Sequence, residues 1–360
     1  MRLNLVFWDE TQNIKIDKHV YSSFDSYKNI EEKNMLNIVK GFVHVAICAG
    51  FAATASANNN DVAFPGDDPI RIVVPYSAGG GTDLFVRILS DSVSKTLNVP
   101  IVILNKPGAS TAIGMKAAIS AKPDGHTLVV STNASYSLIP YIVKPQPYDP
   151  TNSLEYVAVL GETPMVLTTN ASMPNQFSDF IKLVNANSNK YSYATYGIGS
   201  STHMAAEMLM SDTGMKLAHI PYKGVEAVTA LAGEQVNAMV DGVNAASPMI
   251  KAGKIKPLVI LQNERSKFLP ETPTLIEMGF PKASISKISY VMAAPKGTPK
   301  AVINRLSEAF AQSLKNPDVI KKIELMQTSP AFLNPVATNE FVINQTKSFN
   351  SIIDRRGIKF

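Results

Sequence analysis

The residues of this chain best suited to chemistry lie close together in Tyr76-Ser77-Ala78-Gly79-Gly80-Gly81-Thr82-Asp83. A glycine triplet flanked by hydroxyls, placed just ahead of a helix, points bare backbone N–H groups out of the helix start, where the dipole favours negative charge. No Lys or Arg stands in the loop, so the anion site it offers is built from backbone. The plainer reading of the same residues is a sharp βα turn. Gly80 is expected to take a positive φ, where a β-branched side chain would also obstruct the approach of a ligand to the backbone. Two better-known chemistries fail on spacing. A dinucleotide fingerprint requires a third Gly where Leu84 stands, and a phosphate loop requires Gly-Lys-Ser/Thr where Gly81-Thr82-Asp83 stands. Gly197-Ile198-Gly199-Ser200-Ser201-Thr202 fails in the same way and lacks the Gly-x-Ser-x-Gly of a hydrolase nucleophile turn.

A β-branched run at 70–74 precedes the first loop, and apolar residues at Phe85, Ile88, Leu89, Val93 and Leu97 follow it with helical spacing. Strand-like and helix-like stretches then alternate as far as about residue 256. Strands are expected at 100–104, 128–131, 156–160, 165–169, 191–195, 217–220 and 235–240. Helices are expected at 111–120, 177–185, 203–210 and 225–232, with two amphipathic helices at 299–314 and 339–353 returning to the first half. This alternation argues for an α/β protein on a parallel sheet. The Pro-flanked strands at 165–169 and 288–294 are the candidate connections between two lobes.

In open parallel sheets a ligand sits outside the carboxyl ends of the strands. The loops at those ends supply the candidate ligand contacts. They are Tyr76, Ser77, Gly79, Gly80, Gly81, Thr82 and Asp83; Thr132, Asn133 and Ser135; Gly199, Ser200, Ser201, Thr202 and His203; Tyr222 and Lys223; and Asp241. These loops are rich in Gly, Ser, Thr and Asn and poor in charge, so a carboxylate would be held by neutral donors. Taken singly, each Ser or Thr reads as an ordinary helix N-cap, and it is their shared location at strand ends that favours a site. Asp83 reads as a ligand contact or as a dipole partner in a first helical turn. Lys223 reads as a contact to a second carboxylate or as a solvated loop residue, and Asp241 as a contact to a ligand hydroxyl or water or as a loop support. His203 and Glu207 have i, i+4 spacing, but no third ligand accompanies them, so no metal and no cofactor is expected.

At 360 residues, 45% hydrophobic and 18% charged, the chain is long enough for two domains and holds no run of 18 apolar residues. A shorter apolar run at 41–53 follows Lys40 and leads to Ala55-Ser56-Ala57. Basic flank, apolar core and A-x-A site make an export signal over 35–57, cleaved after Ala57. Residues 1–34 would lengthen its charged region abnormally and are read as a start-site artefact, with translation beginning at Met35. Cleavage removes Cys48 and Trp8, the only residues of their kinds, which leaves no thiol for disulfides or thiol catalysis. The net charge of +5 is spread out, with no basic run or interleaved aromatic stripe, which argues against nucleic acid.

The motif Pro69-Ile70-Arg71-Ile72-Val73-Val74-Pro75-Tyr76-Ser77-Ala78-Gly79-Gly80-Gly81-Thr82-Asp83 resembles the opening of the Bug-type extracytoplasmic solute receptors of tripartite tricarboxylate transporters. Further matches follow in order: Asn105-Lys106-Pro107-Gly108-Ala109, Pro123-Asp124-Gly125-His126-Thr127-Leu128, Gly199-Ser200-Ser201-Thr202-His203, Pro221-Tyr222-Lys223-Gly224, Val240-Asp241 and Ala294-Pro295-Lys296-Gly297-Thr298-Pro299. The chain departs from the family pattern at Ala78, at Ser110-Thr111, which add hydroxyls near one wall, and at His126. The resemblance implies a type II periplasmic-binding-protein-like fold, with two α/β lobes and a ligand cleft between them. Lobe 1 is expected over 62–163 plus 290–360 and lobe 2 over 164–289. It also implies a monomeric periplasmic receptor that closes on a small organic acid and delivers it to the membrane components of the transporter. Two other functions compete. One is a periplasmic enzyme acting on carboxylates, with His203, Asp83 and Asp241 as its acid/base groups, although no nucleophile–base pair is identifiable. The other is a receptor that reports its ligand to a sensor kinase.

Overall fold

A computed structural model describes residues 64–187, 190–222, 226–280 and 286–356. The expected export signal and start-site segment therefore lie outside the described residues. The first βα unit forms where the sequence places it, as strand β1 (Ile70–Val74) and helix α1 (Gly81–Leu97). Apolar residues at three- and four-residue intervals give α1 its buried face of Phe85, Val86, Leu89 and Val93. Then come β2 (Ile101–Asn105), α2 (Ala112–Ile119), β3 (Thr127–Thr132) and two single-turn helices, α3 (Ala134–Ser137) and α4 (Ile139–Ile142).

Strand β4 (Leu154–Asn170) holds the architecture together. It is followed by α5 (Phe177–Ala186), β5 (Ser192–Thr195), α6 (Ser201–Thr213), β6 (Ala218–Pro221), α7 (Glu226–Ala232), β7 (Ala238–Gly242), α8 (Val243–Lys251) and β8 (Ile255–Ile260). The chain then returns through β9 (Lys287–Pro295), α9 (Lys300–Ser313), α10 (Pro317–Leu325), β10 (Ser329–Leu333) and α11 (Pro335–Arg356). The strand order is β2-β1-β3-β9-β4-β7-β5-β6, with β8 and β10 also paired to β4.

Two expectations need correction. The stretches 156–160 and 165–169 belong to one 17-residue strand, not two. Pro164 interrupts neither; it sits where β4 exchanges its partner β9, last paired at Pro164↔Lys287, for β7, first paired at Met165↔Gly242. A missing N–H is tolerated at such a change of partners. The sheet is also mixed rather than parallel. Strand β1 runs parallel to β2 and β3, and β5 runs parallel to β6 and β7. Strand β9 is antiparallel to β3 and β4, and β4 is antiparallel to β7, β8 and β10. A βα alternation fixes the direction of strands joined by crossover helices, but not of a strand that passes between two groups of them.

The first half of β4 lies between β9 and β10, and the second half between β7 and β8. Helices α1 and α9 bury Phe85, Leu89, Leu306 and Phe310 against Ile70, Ile72, Leu160 and Met292. On the later strands, Phe177, Phe180, Leu209 and Met215 cover Met165, Tyr193 and Val240. The C-terminal helix α11 brings Phe349 and Ile352 onto Met204 and Met208 of α6 and Leu138, so it reaches both halves.

Candidate functional site

The site follows from where the strands end. Strand β1 stops at Val74, and Gly79, at φ +78°, turns the chain into α1. Gly80 itself sits at φ −72°, ψ 164° as the N-cap, so Gly79, not Gly80, is the position that needs left-handed backbone. Leu84 N–H donates to the Gly80 carbonyl at 3.0 Å as the first helical bond, so the preceding N–H groups of α1 lack intrahelical acceptors. Asp83 braces this loop from beneath. Its Oδ2 accepts from Gly79 N–H (2.8 Å) and Arg87 Nε (3.0 Å), and its Oδ1 accepts from Asn105 Nδ2 (3.0 Å). Burial is the largest influence on the Asp83 carboxyl and disfavours its charge. The hydrogen bonds from Arg87, Gly79 and Asn105 together outweigh burial and hold the carboxyl below the ordinary aspartate range.

A second helix start faces the first. Gly197 (φ +110°) and Gly199 (φ +76°) lead from β5 into α6, whose N-cap is Ser200. The Ser200 hydroxyl oxygen accepts from His203 N–H at 3.2 Å, and Thr202 Oγ1 accepts from Tyr196 N–H at 3.2 Å. A side chain at Gly199 would place its Cβ 2.2 Å from Ile142 Cδ1, the movable tip of that side chain, so it is the positive φ that favours glycine here. A third helix start, the first turn of α8, brings Asn244 and Ala245 to the same space.

Between these helix starts lies a cleft of about 510 Å³. The first half contributes Tyr76, Gly80, Gly81, Thr82, Ser110, Thr111, Thr132, Ala134, Ser135 and Ile139. The second contributes Tyr196, Ile198, Gly199, Ser200, Ser201, Thr202, Asp241, Asn244 and Ala245, and β9 supplies Ile288 and Tyr290. The hydroxyls on one wall are linked: Tyr76 Oη and Thr132 Oγ1 lie 2.9 Å apart, Ser131 donates to Tyr76 Oη at 3.2 Å, and Ser131 and Ser135 are 2.6 Å apart. Among the described residues, none lining the cleft is a Lys, Arg or His, and Asp241 is the one lining carboxylate. Its Oδ2 accepts from the Tyr196 hydroxyl at 2.5 Å and its Oδ1 from Gly242 N–H at 2.7 Å. Complete burial pushes the Asp241 carboxyl up to about 7, against the opposing pull of those two donors.

Eleven of the expected contact residues line the cleft: Tyr76, Gly80, Gly81, Thr82, Thr132, Ser135, Gly199, Ser200, Ser201, Thr202 and Asp241. Ser77, Gly79 and Asp83 shape the first loop without lining the cleft. Asn133 exchanges hydrogen bonds with β9, donating from Nδ2 to Lys287 O (3.3 Å) and accepting Ser289 N–H at Oδ1 (3.2 Å). His203 lies under its loop, where Nδ1 accepts Gly199 N–H at 3.2 Å, and Tyr222 packs beside α7 and β7. Lys223 lies outside the described residues. The acid/base set His203, Asp83 and Asp241 is not assembled, because only Asp241 reaches the cleft. No group of three potential metal ligands occurs among the described residues. The residues that sequence reasoning did not anticipate include Tyr196, Ile198, Ile288 and Tyr290. Tyr196 had a usable signal, since it directly follows a strand and precedes a glycine loop. Tyr290 and Ile288 had none, because β9 was assigned only a connecting role.

Residues 85–358 match the family model of the tripartite tricarboxylate transporter family receptor. The chain is 31% identical to the protein BugT of Bordetella pertussis over 318 residues, covering 86% of this chain and 94% of BugT. Among solved structures it is similar to the periplasmic binding protein BugD, at 30% identity and a TM-score of 0.72, over 81% of this chain and 98% of that one. It is also similar to MatC of Rhodopseudomonas palustris with bound malate, at 28% identity and a TM-score of 0.70, over 81% of this chain and all of the other.

Proposed function

The chain belongs to the tripartite tricarboxylate transporter receptor family, and on that premise we propose that its cleft captures one small organic carboxylate by closure of two lobes. The observation that carries this reading is a cleft bounded by three helix starts, with hydroxyls on its walls and no cationic side chain among its described lining residues. Free N–H groups and helix dipoles favour an anion without a guanidinium. The malate bound to MatC is consistent with such a ligand. Gly80–Thr82 on one side and Gly199–Thr202 on the other would hold the carboxylate, and Ile139, Ile198 and Ile288 would contact the rest of the molecule.

The two lobes are assigned as 62–163 with 290–360, and 164–289, with β4 and β9 passing between them. A ligand that touches both lobes binds the closed form better than the open one, and that difference in affinity drives closure. The closed monomer then hands the acid to membrane components of the transporter. Export fits the periplasmic character of the solved relatives: residues 35–57 direct it, and cleavage follows Ala57. No helix among the described residues is long and apolar enough to cross a membrane.

Malate, succinate, citrate and benzoate, each added to the purified mature protein, test this reading. Native mass spectrometry should show one acid bound, and unfolding should release it chemically unchanged. X-ray scattering should show a smaller radius of gyration with the bound acid. At a hundred times its dissociation constant the acid should add about 2.7 kcal/mol of stability. Conversion of the acid into a product, or binding without compaction, contradicts the receptor mechanism.

A further inference from the structure

Asp241 is an odd neighbour for an anion. It lies at the end of β7 and is 1% exposed, yet it lines the cleft in which the proposed carboxylate sits. The ionisable groups on elements packed around β7 include Glu162 of β4, Tyr193 of β5, His203 and Glu207 of α6, Glu226 of α7 and Lys251 of α8. Among the described residues, burial, the Tyr196 hydroxyl and the Gly242 N–H are what act on this carboxyl. An ionised Asp241 therefore has two hydrogen bonds and, among the described residues, no counter-charge. A bound carboxylate would put a second negative charge into the same enclosed, weakly screened space, where like charges repel far more strongly than in water.

We propose that the cleft takes up its anion together with one proton, which settles on the Asp241 carboxyl and releases the Tyr196 hydroxyl to donate to the bound anion. This rests on the reading of the cleft as a carboxylate receptor. The proton comes from solvent and forms one new O–H bond at Asp241 Oδ2. That group donates across the existing 2.5 Å contact to Tyr196 Oη, reversing the direction of the hydrogen bond. The Tyr196 O–H bond is not broken; its hydrogen rotates about the C–O bond from Asp241 toward the cleft, which Tyr196 also lines. Burial keeps the tyrosine protonated throughout, and the Asp241 charge adds to this until the proton arrives. The closed cleft then carries only the charge of its ligand, and a donor formerly used on Asp241 serves the anion. The carboxyl exchanges its proton near neutrality, so the step needs no extreme pH.

The test is calorimetric titration of the mature protein with malate, succinate and benzoate from about pH 7 to pH 9, in buffers of different ionisation enthalpy. Uptake of one proton per acid makes affinity fall about tenfold for each pH unit above the titration point of the free protein. It also makes the measured heat depend on the buffer. Asp241→Asn should flatten both responses, and Tyr196→Phe should weaken binding most at the low end of the range. Infrared difference spectra of the wild-type protein should gain the carbonyl stretch of a protonated carboxyl when the acid binds, a readout that needs no variant to fold. Binding with a flat pH profile and buffer-independent heat overturns the coupling alone, as does an Asp241→Asn variant that keeps the wild-type slope. Failure of all three acids to bind overturns the receptor reading and the coupling with it.

Discussion

The imidazoles of His203 and His219 stack face to face, with centroids 4.1 Å apart and planes inclined by 11°. His219 stacks in turn on Tyr193 at 4.9 Å, and its Nε2 meets Thr195 Oγ1 at 2.7 Å. The column supports the glycine loop from below, because His203 Nδ1 accepts the Gly199 N–H.

This column should make the protein acid-labile in a defined window. Burial, then the neighbouring His219, push His203 down to about 4, whereas in an unfolded chain it titrates near 6.5. The unfolded chain therefore takes the proton first. The stability supplied by the neutral ring is present above the unfolded value and is lost as pH falls through about 4, a change of about 3 kcal/mol. The gap in urea-unfolding free energy between wild type and His203→Gln should narrow by that amount between pH 7 and pH 4; a constant gap contradicts the assignment.

Gly81 and Gly199 should respond differently to valine. A Cβ at Gly81 lies 3.3 Å from Asn244 Nδ2 and 3.8 Å from Tyr290 Oη, inside the cleft, while the helix start accepts a side chain. Gly81→Val should fold and bind malate ten- to a hundredfold more weakly, equivalent to losing about one charge-assisted hydrogen bond of 1.5–3 kcal/mol. Gly199→Val puts a β-branched side chain at φ +76° and displaces the tip of Ile142, and should lose stability as well as affinity. Calorimetry and thermal unfolding of the pair separate the two effects.

Ser200, not Ser201 or Thr202, supplies the side-chain cap of α6. Ser200→Ala should cost about 1 kcal/mol of stability. Thr202→Val leaves α6 capped by Ser200 but removes the acceptor of the Tyr196 N–H, so it should lower stability by about 1–3 kcal/mol and weaken malate binding as well. An unchanged urea midpoint for Thr202→Val would show that this hydrogen bond does not hold the loop.

Asp83→Asn should unseat the first loop without touching the cleft lining. Asparagine cannot accept from Gly79, Arg87 and Asn105 together as the carboxylate does. Removing the charge should cost about 1–3 kcal/mol in urea unfolding at pH 7. The wild-type advantage should vanish as pH falls below the ordinary aspartate value, because the folded carboxyl titrates lower than the unfolded one.

The βα units were legible in the sequence because each carries its own punctuation. β-Branched strands end in glycine or hydroxyl loops, and an apolar 3.6-residue period follows, as at Ile70–Val74 and Gly81–Leu97. The site was legible where it is made of those loops. It was not legible where a side chain arrives from a distant strand, as Tyr290 does by stacking on Phe85 at 4.3 Å. Nor could spacing separate residues that face the cleft from those that hold a loop. Asp83, Asn133 and His203 have the same kinds of side chain and loop positions as true lining residues, and their hydrogen bonds, long-range for Asp83 and Asn133 and to its own loop for His203, hold them behind the wall. The stretches 156–160 and 165–169 read as two strands because a local rule about ladder donors says nothing of one strand that changes partners at Pro164.

The sharing of β4 between two sets of partners has a consequence for the order in which the chain can assemble. The later set, β5 to β8 with the second half of β4, is drawn from one uninterrupted stretch, residues 165–260. Strands β1 to β3 precede it, yet they reach β4 only through β9, more than 150 residues after β3. A chain emerging N-terminus first must therefore hold its opening strands incomplete while the middle of the molecule closes, and contacts of that sequence separation form slowly. The segment that contains the glycine triplet is made among the earliest and secured among the last.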